Sequence, residues 1–282
     1  MKIGLTIFHD GLEYREIVAI AQEAERTGLH SFWLIDHLHG SPQPDKFQLL
    51  ETWTLISALA TQTKNIRLGP LVLNINNRNP AILAKMATTL DQISGGRLEF
   101  GVGAGGMIRA RVQKRLGYEY EFIAYNVDFP IRFRERIEKL NEGLEIIKKL
   151  WTCDVVTFQG KHYSVKNAIC LPKSIQKPYP PIWIGGSAKS KILQIIAKYA
   201  DGWNIMGASN IEDYRYGVKM LKEECQRIGR NIDEIKISVT VNGTLQECVN
   251  QLHNFSDEHI DLVILKFPPG KEIECLQNLN YQ

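Results

Sequence analysis

The chain has 282 residues, 44% of them hydrophobic, with 34 Lys and Arg set against 31 Asp and Glu. That length suits one large domain or two small ones able to bury a core without staples. A formal charge of +3 with interleaved signs gives no reason to expect nucleic acid or an anionic membrane as a partner.

Five scattered cysteines (Cys153, Cys170, Cys225, Cys248 and Cys275) lack CxxC or Cys/His spacing, so neither a disulfide framework nor a zinc or other metal site is signalled. No apolar run approaches the roughly 18 residues of a membrane span. The N-terminus turns polar too early for a secretory segment. The expectation is a soluble, cytoplasmic protein acting on a small molecule.

Short apolar runs alternate with amphipathic segments along the chain. Residues 3–8 read as a buried strand. Residues 14–27 then place Ile17, Val18, Ala21 and Ala24 on one helical face and stop at Gly28. Strand 31–35, helix 50–62 and strand 66–73 follow, and Pro80 opens a helix where its missing N–H costs nothing. Strand 98–102 precedes a helix over 134–151, with Ile137, Leu140, Leu144, Ile147 and Leu150 in register.

The rhythm breaks at 155–165, where β-branched and aromatic residues flank Gln159-Gly160 and predict a hairpin. Strands at 182–184, 202–205, 235–241 and 262–266 then alternate with helices at 189–199, 213–227 and 246–255. Eight strands alternating with helices imply a parallel sheet closed as a (β/α)8 TIM barrel, with a short hairpin insertion before strand five. A doubly wound open sheet is the structural alternative. The whole chain, 1–282, reads as a single domain.

In a barrel the chemistry sits on the loops after the strands' C-terminal ends. Strand two ends in Asp36-His37, a carboxylate beside an imidazole that exchanges protons near neutral pH; a loop-capping histidine is the plainer reading. Strand three runs into Asn74, Asn76 and Asn77, amides without charge. Strand four runs into GVGAGG, residues 101–106, which matches GxGxxG. Three βα units precede it, whereas the dinucleotide fingerprint normally sits in the first, so the run reads either as a glycine-rich turn or as backbone approaching a flat ring. Strand five ends in Gly185, Gly186, Ser187 and Ala188, just before a helix, with Lys191 close by. Exposed N–H groups, a hydroxyl and a cation there suit a phosphate, though a GGS turn alone is usually only a turn.

Together SFWLIDHL, TLDQISGGRLEFGVGAG, VVTFQGKHYSV, PPIWIGGS and YADGWN resemble the luciferase-like monooxygenase superfamily, in order over nearly the whole chain. The Asp-His pair resembles the branch that uses the deazaflavin coenzyme F420. That resemblance implies hydride transfer between coenzyme F420 and a small organic substrate. Asp36 would lie at the polar edge of the ring and His37 beside the substrate carbon.

It further implies a non-proline cis peptide joining Leu71 to Val72 behind the ring, with Asn74 at the ring edge. Gly105 and Gly106 would lie along the cofactor tail, and Gly185, Gly186, Ser187 and Ala188, helped by Lys191, would hold the phosphate. Arg78, Arg109 and Arg111 are candidates for tail or substrate anions. A homodimer is the assembly the family suggests. An FMN-dependent monooxygenase and a non-catalytic flavin-binding relative are the alternatives.

The chain departs from that branch in three places. The glutamate that sugar-phosphate dehydrogenases carry near Gly106 is absent. The acid that methanopterin reductases carry near the end of strand one is replaced by Thr6 and then His9. Strand seven passes almost directly into its helix, where relatives insert a longer excursion, which predicts a more open mouth on that side.

Overall fold

A computed structural model describes residues 1–38, 49–105, 122, 124–128, 132–188, 191–205 and 211–279. Gly106, Arg109 and Arg111 lie outside the described residues.

Helix α1 (Tyr14–Arg26) buries Ile17, Ile20, Ala21 and Ala24; Val18, expected inward, is only partly covered because it lies on the flank of that stripe, opposite Ile20. Its start is held by a reciprocal Glu13–Glu16 capping box. Helix α2 (Thr52–Gln62) is capped by Glu51, whose carboxylate accepts from the Trp53 and Thr54 N–H groups. Helix α3 (Pro80–Ile93) begins on Pro80 with Asn79 as its cap. Helix α4 (Phe133–Thr152) buries Leu140, Leu144, Ile147 and Leu150. Helices α5 (Ile192–Tyr199), α6 (Ile211–Arg227), α7 (Leu245–His253) and α8 (Glu272–Gln277) complete the described set.

The strands are β1 (Lys2–Ile7), β2 (Ser31–Leu34), β3 (Arg67–Pro70), β4 (Leu73–Asn74), β5 (Phe100–Gly103), β8 (Ile182–Gly186), β9 (Gly202–Ile205), β10 (Lys236–Asn242) and β11 (Leu262–Lys266). They pair in the order β3-β2-β1-β11-β10-β9-β8-β5-β4. Every pair in this sheet is parallel. β3 and β4 are the two halves of one stave, and a parallel bridge between Leu68 and Leu98 ties β3 to the residues leading into β5. The nearly closed sheet and its helices are the expected (β/α)8 barrel. β6 (Val156–Gln159) and β7 (Ser164–Ala168) form the separate antiparallel hairpin.

The third stave, read from the sequence as continuous, is broken. The Leu71–Val72 peptide is cis, as the resemblance implied. Glycines in β5 make room for the break. A Cβ on Gly101 would stand 1.9 Å from the Pro70 carbonyl oxygen, and one on Gly103 would stand 2.8 Å from Val72 Cγ2. These two glycines of the GVGAGG run therefore meet protein, not an open mouth.

Two layers of apolar packing surround the sheet. Inside the barrel, Trp33 and Trp183 meet edge to face at 5.8 Å and 79°, joined by Leu262, Ile264 and the partly buried Leu71. Both indole N–H groups are satisfied, Trp33 by Ser31 Oγ at 2.8 Å and Trp183 by Glu99, which also pairs with Arg67. With these side chains filling the interior, the C-terminal mouth is where a barrel of this kind takes a ligand.

His30, just before β2, carries a pH dependence. Burial first, then the Lys2, Arg67 and Lys236 charges, lowers its pKa to about 4. The folded protein thus keeps it neutral while the unfolded chain protonates near 6.5, so stability is complete above about pH 6.5 and falls as pH drops towards 4. Because His30 is only partly buried, about 1–2 kcal/mol is expected rather than the full shift. Urea unfolding at about pH 7 and about pH 5 should show the decline in wild type and a shallower one in His30→Gln. Equal declines in both proteins would clear His30 of the effect.

Candidate functional site

Asp36 sits just beyond β2, whose register against β1 and β3 fixes its height at the mouth. The Thr52 hydroxyl donates to the Ile35 carbonyl and ties this strand end to the start of α2. The Asp36 side chain is 1% exposed and accepts two hydrogen bonds from Arg78, at 2.8 and 2.9 Å, and one from the Asn74 N–H at 2.9 Å. Paired, multiply bonded burial of this kind is the condition under which a carboxylate stays in the interior.

Arg78 also pairs with Glu51. Burial alone would lower the Arg78 pKa, but the Asp36 and Glu51 carboxylates outweigh it and raise the guanidinium above its ordinary value. Burial would likewise raise Glu51. Hydrogen bonds from Thr54 and Arg78, with the Arg78 charge, hold it below the usual range instead. Arg78, considered from sequence as a ligand for an anion, is thus committed to two carboxylates of its own chain.

His37 follows Asp36 and is half-buried. His9, two residues beyond β1, is fully buried. Its Nε2–H donates to the Leu50 carbonyl at 3.0 Å, while Nδ1 has no partner.

Asn74 turns its side chain into a cluster of amides. Its Oδ1 accepts from the N–H and Nδ2 of Asn76, at 3.1 and 2.8 Å, and its Nδ2 donates to Asn77 Oδ1 at 3.1 Å. Asn76 Nδ2 also reaches the Ala104 carbonyl at 3.0 Å, which joins β4 to the end of β5. Gly105 takes a left-handed φ of 76°, and its carbonyl accepts from Arg136 at 2.8 Å.

Around these residues, further buried polar atoms make no hydrogen bond, among them Thr6 Oγ1, Asn76 Oδ1 and Asn77 Nδ2. Buried polar groups are normally satisfied, so a cluster at strand ends marks where a polar ligand would bond. A flat heterocycle with donors and acceptors on its edge fits that set.

On the far side of the mouth, Gly185 and Gly186 end β8, Ser187 is exposed and Ala188 is buried. A Cβ on Gly186 would stand 2.5 Å from Ile192 Cγ2, so this glycine lets α5 approach the sheet. Ala188 packs under Gly217 of α6. Lys191 is exposed and stands at the N-cap position of α5, with no side-chain capping bond. Ser187 and Lys191 are thus exposed, while Gly186 and Ala188 serve packing. Among the described residues no group of acids, histidines and cysteines could hold a metal ion, and no helix is long and apolar enough to cross a membrane.

The fold is shared with proteins of known structure. A solved structure of an F420-dependent secondary alcohol dehydrogenase, in complex with an F420-acetone adduct, superposes with a TM-score of 0.81 over 99% of this chain and 98% of its own, at 17% identity. The monooxygenase RslO1 from Streptomyces bottropensis superposes with a TM-score of 0.76 over 98% of this chain and 97% of its own, at 18% identity. Both show the shared fold. In sequence, the chain is 28% identical over 258 residues to the F420-dependent glucose-6-phosphate dehydrogenase of Amycolatopsis mediterranei (strain U-32), covering 84% of this chain and 69% of that one. The family model described as luciferase-like monooxygenase matches residues 1–256, and the chain therefore belongs to that family.

Proposed function

We propose that this protein is an F420-dependent oxidoreductase that moves a hydride between the deazaflavin and a small organic substrate, with His37 exchanging the accompanying proton. The observation that carries this reading is the Asp36-His37 pair at the end of β2. Its carboxylate is anchored by Arg78 and Asn74, in a chain whose relatives include an F420-dependent dehydrogenase.

The residues fit the group. Leu71 and Val72 would back the ring, with the unmet amide atoms of Asn76 and Asn77 within the same cluster as Asn74. Gly105 and Gly106 would line the tail, and Gly185, Gly186, Ser187, Ala188 and Lys191 would receive the phosphate at the head of α5. When bound, the cofactor supplies the carbon that accepts or donates the hydride. The protein's part is to orient the two reactants and to hold the proton at an imidazole nitrogen of His37.

Asp36, with three hydrogen bonds already on its oxygens, has limited acceptor capacity left. Its main service in this reading is to hold Arg78 and the Asn74 backbone in place at the ring edge. A sugar phosphate is disfavoured as the substrate, since the glutamate that sugar-phosphate dehydrogenases carry near Gly106 is missing.

The test is titration of the purified protein with coenzyme F420 and with FMN, followed by a deazaflavin-reduction assay across alcohols and cyclic imines. Tight F420 binding with substrate-dependent reduction is the expected result. FMN binding with oxygen-dependent turnover would establish the monooxygenase reading instead. Ser187→Asp sets a like charge beside the phosphate and should weaken cofactor binding about tenfold or more, because one unfavourable charge contact is worth at least a kcal/mol or so. Unchanged affinity for both cofactors would move the phosphate site elsewhere.

A further inference from the structure

His9 is a buried titratable group that the proposed chemistry does not use. Its Nε2 lies 3.0 Å from the Leu50 carbonyl oxygen, and a carbonyl can only accept. Nε2 therefore carries the hydrogen and Nδ1 carries a lone pair. That lone pair is buried without a donor, in a side chain 0% exposed. β1 and β2 pair in parallel, so His9, two residues beyond β1, stands beside the Asp36-His37 pair just beyond β2.

We propose that His9 is the positioning residue of His37: with Nε2–H committed to Leu50, its Nδ1 lone pair receives a ring N–H of His37 through one water molecule, and so fixes which His37 nitrogen faces the substrate. The inference rests on the functional reading only in calling His37 the proton carrier.

The chemistry follows from the two rings. In a neutral His37 whose N–H is turned to His9, the other ring nitrogen is the one that carries the lone pair and acts as the base. When a substrate hydroxyl loses its proton there, the O–H bond breaks and a second N–H bond forms on His37. The N–H facing His9 stays where it was. Burial above all, and then the nearness of His37, keeps the His9 pKa below the ordinary histidine value, while the Leu50 carbonyl and Asp36 oppose the shift. His9 thus stays a neutral acceptor while His37 changes charge. A carboxylate in this position would be a charged acceptor, so the chain has a neutral one in its place.

The experiment uses nitrogen NMR of the histidine rings in the ligand-free protein. His9→Gln keeps a donor for Leu50 and removes the Nδ1 acceptor; His9→Asn keeps an acceptor near Nδ1. The ring-nitrogen resonances of His37 should move in His9→Gln and return towards wild type in His9→Asn. In turnover, His9→Gln should lower kcat roughly tenfold or more, a part of the ~10²–10⁴ a positioned acid–base group contributes, with KM nearly unchanged.

His37 resonances identical in wild type and His9→Gln would overturn the proposal. If His9→Gln does not fold, His37→Gln supplies the second reading. The His9 titration should then rise towards the usual histidine value, and an unmoved His9 overturns the pairing. The NMR arm needs neither cofactor nor substrate. Coupled rings in a protein that binds no F420 would therefore overturn the functional reading and leave the histidine pair standing.

Discussion

His37→Ala should lower turnover by about 10²–10⁴-fold, the usual contribution of one positioned acid–base group. Cofactor affinity should change little, because Asn74, Asn76, Asn77 and the turn ending β8 hold the cofactor in the proposed reading, and His37 does not. In kinetic terms kcat and kcat/KM fall together, the signature of an interaction made only in the transition state. The measurement is steady-state reduction of F420 by the best substrate of the panel, alongside cofactor titration of the same variant. Lost cofactor binding with turnover intact once the cofactor is saturating would make His37 a binding residue. Two unchanged quantities would leave it a loop histidine.

That prediction was open to sequence reasoning because its chemistry and its place share one dipeptide. Asp36-His37 ends an apolar run, and strand ends in a barrel point to the mouth. The strand count and the hairpin were legible for a similar reason: each is a local pattern of apolar and β-branched residues. The break in the third stave has no such local signature, since LGPLVL carries no polar side chain and continues the strand pattern through Leu71 and Val72. Helix α8 was also missed; EIECLQ is six residues long and buries only Glu272 and Leu276, too little for a helical stripe.

The partners inside the site were hidden by distance along the chain. Arg78 lies 42 residues from Asp36 and 27 from Glu51, and His9 lies 41 from Leu50. Only the closed sheet, which sets β1, β2 and the third stave side by side, brings them together. From sequence, Arg78 was a cation near a mouth and therefore an anion ligand; in the fold that charge is already answered. The glycines of GVGAGG were ambiguous for the converse reason. Their spacing matches a ligand-binding loop, while Gly101 and Gly103 are required by the Pro70 carbonyl and the Val72 side chain.

Arg78→Met should cost about 3–5 kcal/mol of stability, the usual penalty for removing one partner of a buried ion pair. The Asp36 side chain is 1% exposed and would keep a single hydrogen bond, from the Asn74 N–H. Glu51, 38% exposed and already bonded to the Trp53 and Thr54 N–H groups, can turn its remaining charge to water. The stranded charge is thus Asp36, and the loss is dominated by its desolvation. For a domain of this size the melting temperature should fall by roughly 10 °C. Asp36→Asn in the Arg78→Met background removes the stranded charge and should recover part of the loss. The two substitutions are therefore strongly non-additive. Thermal and urea unfolding of the two single variants and the double variant complete the cycle. If Arg78→Met unfolds within about 1 kcal/mol of wild type, water reaches Asp36 and the carboxylate does not depend on the guanidinium.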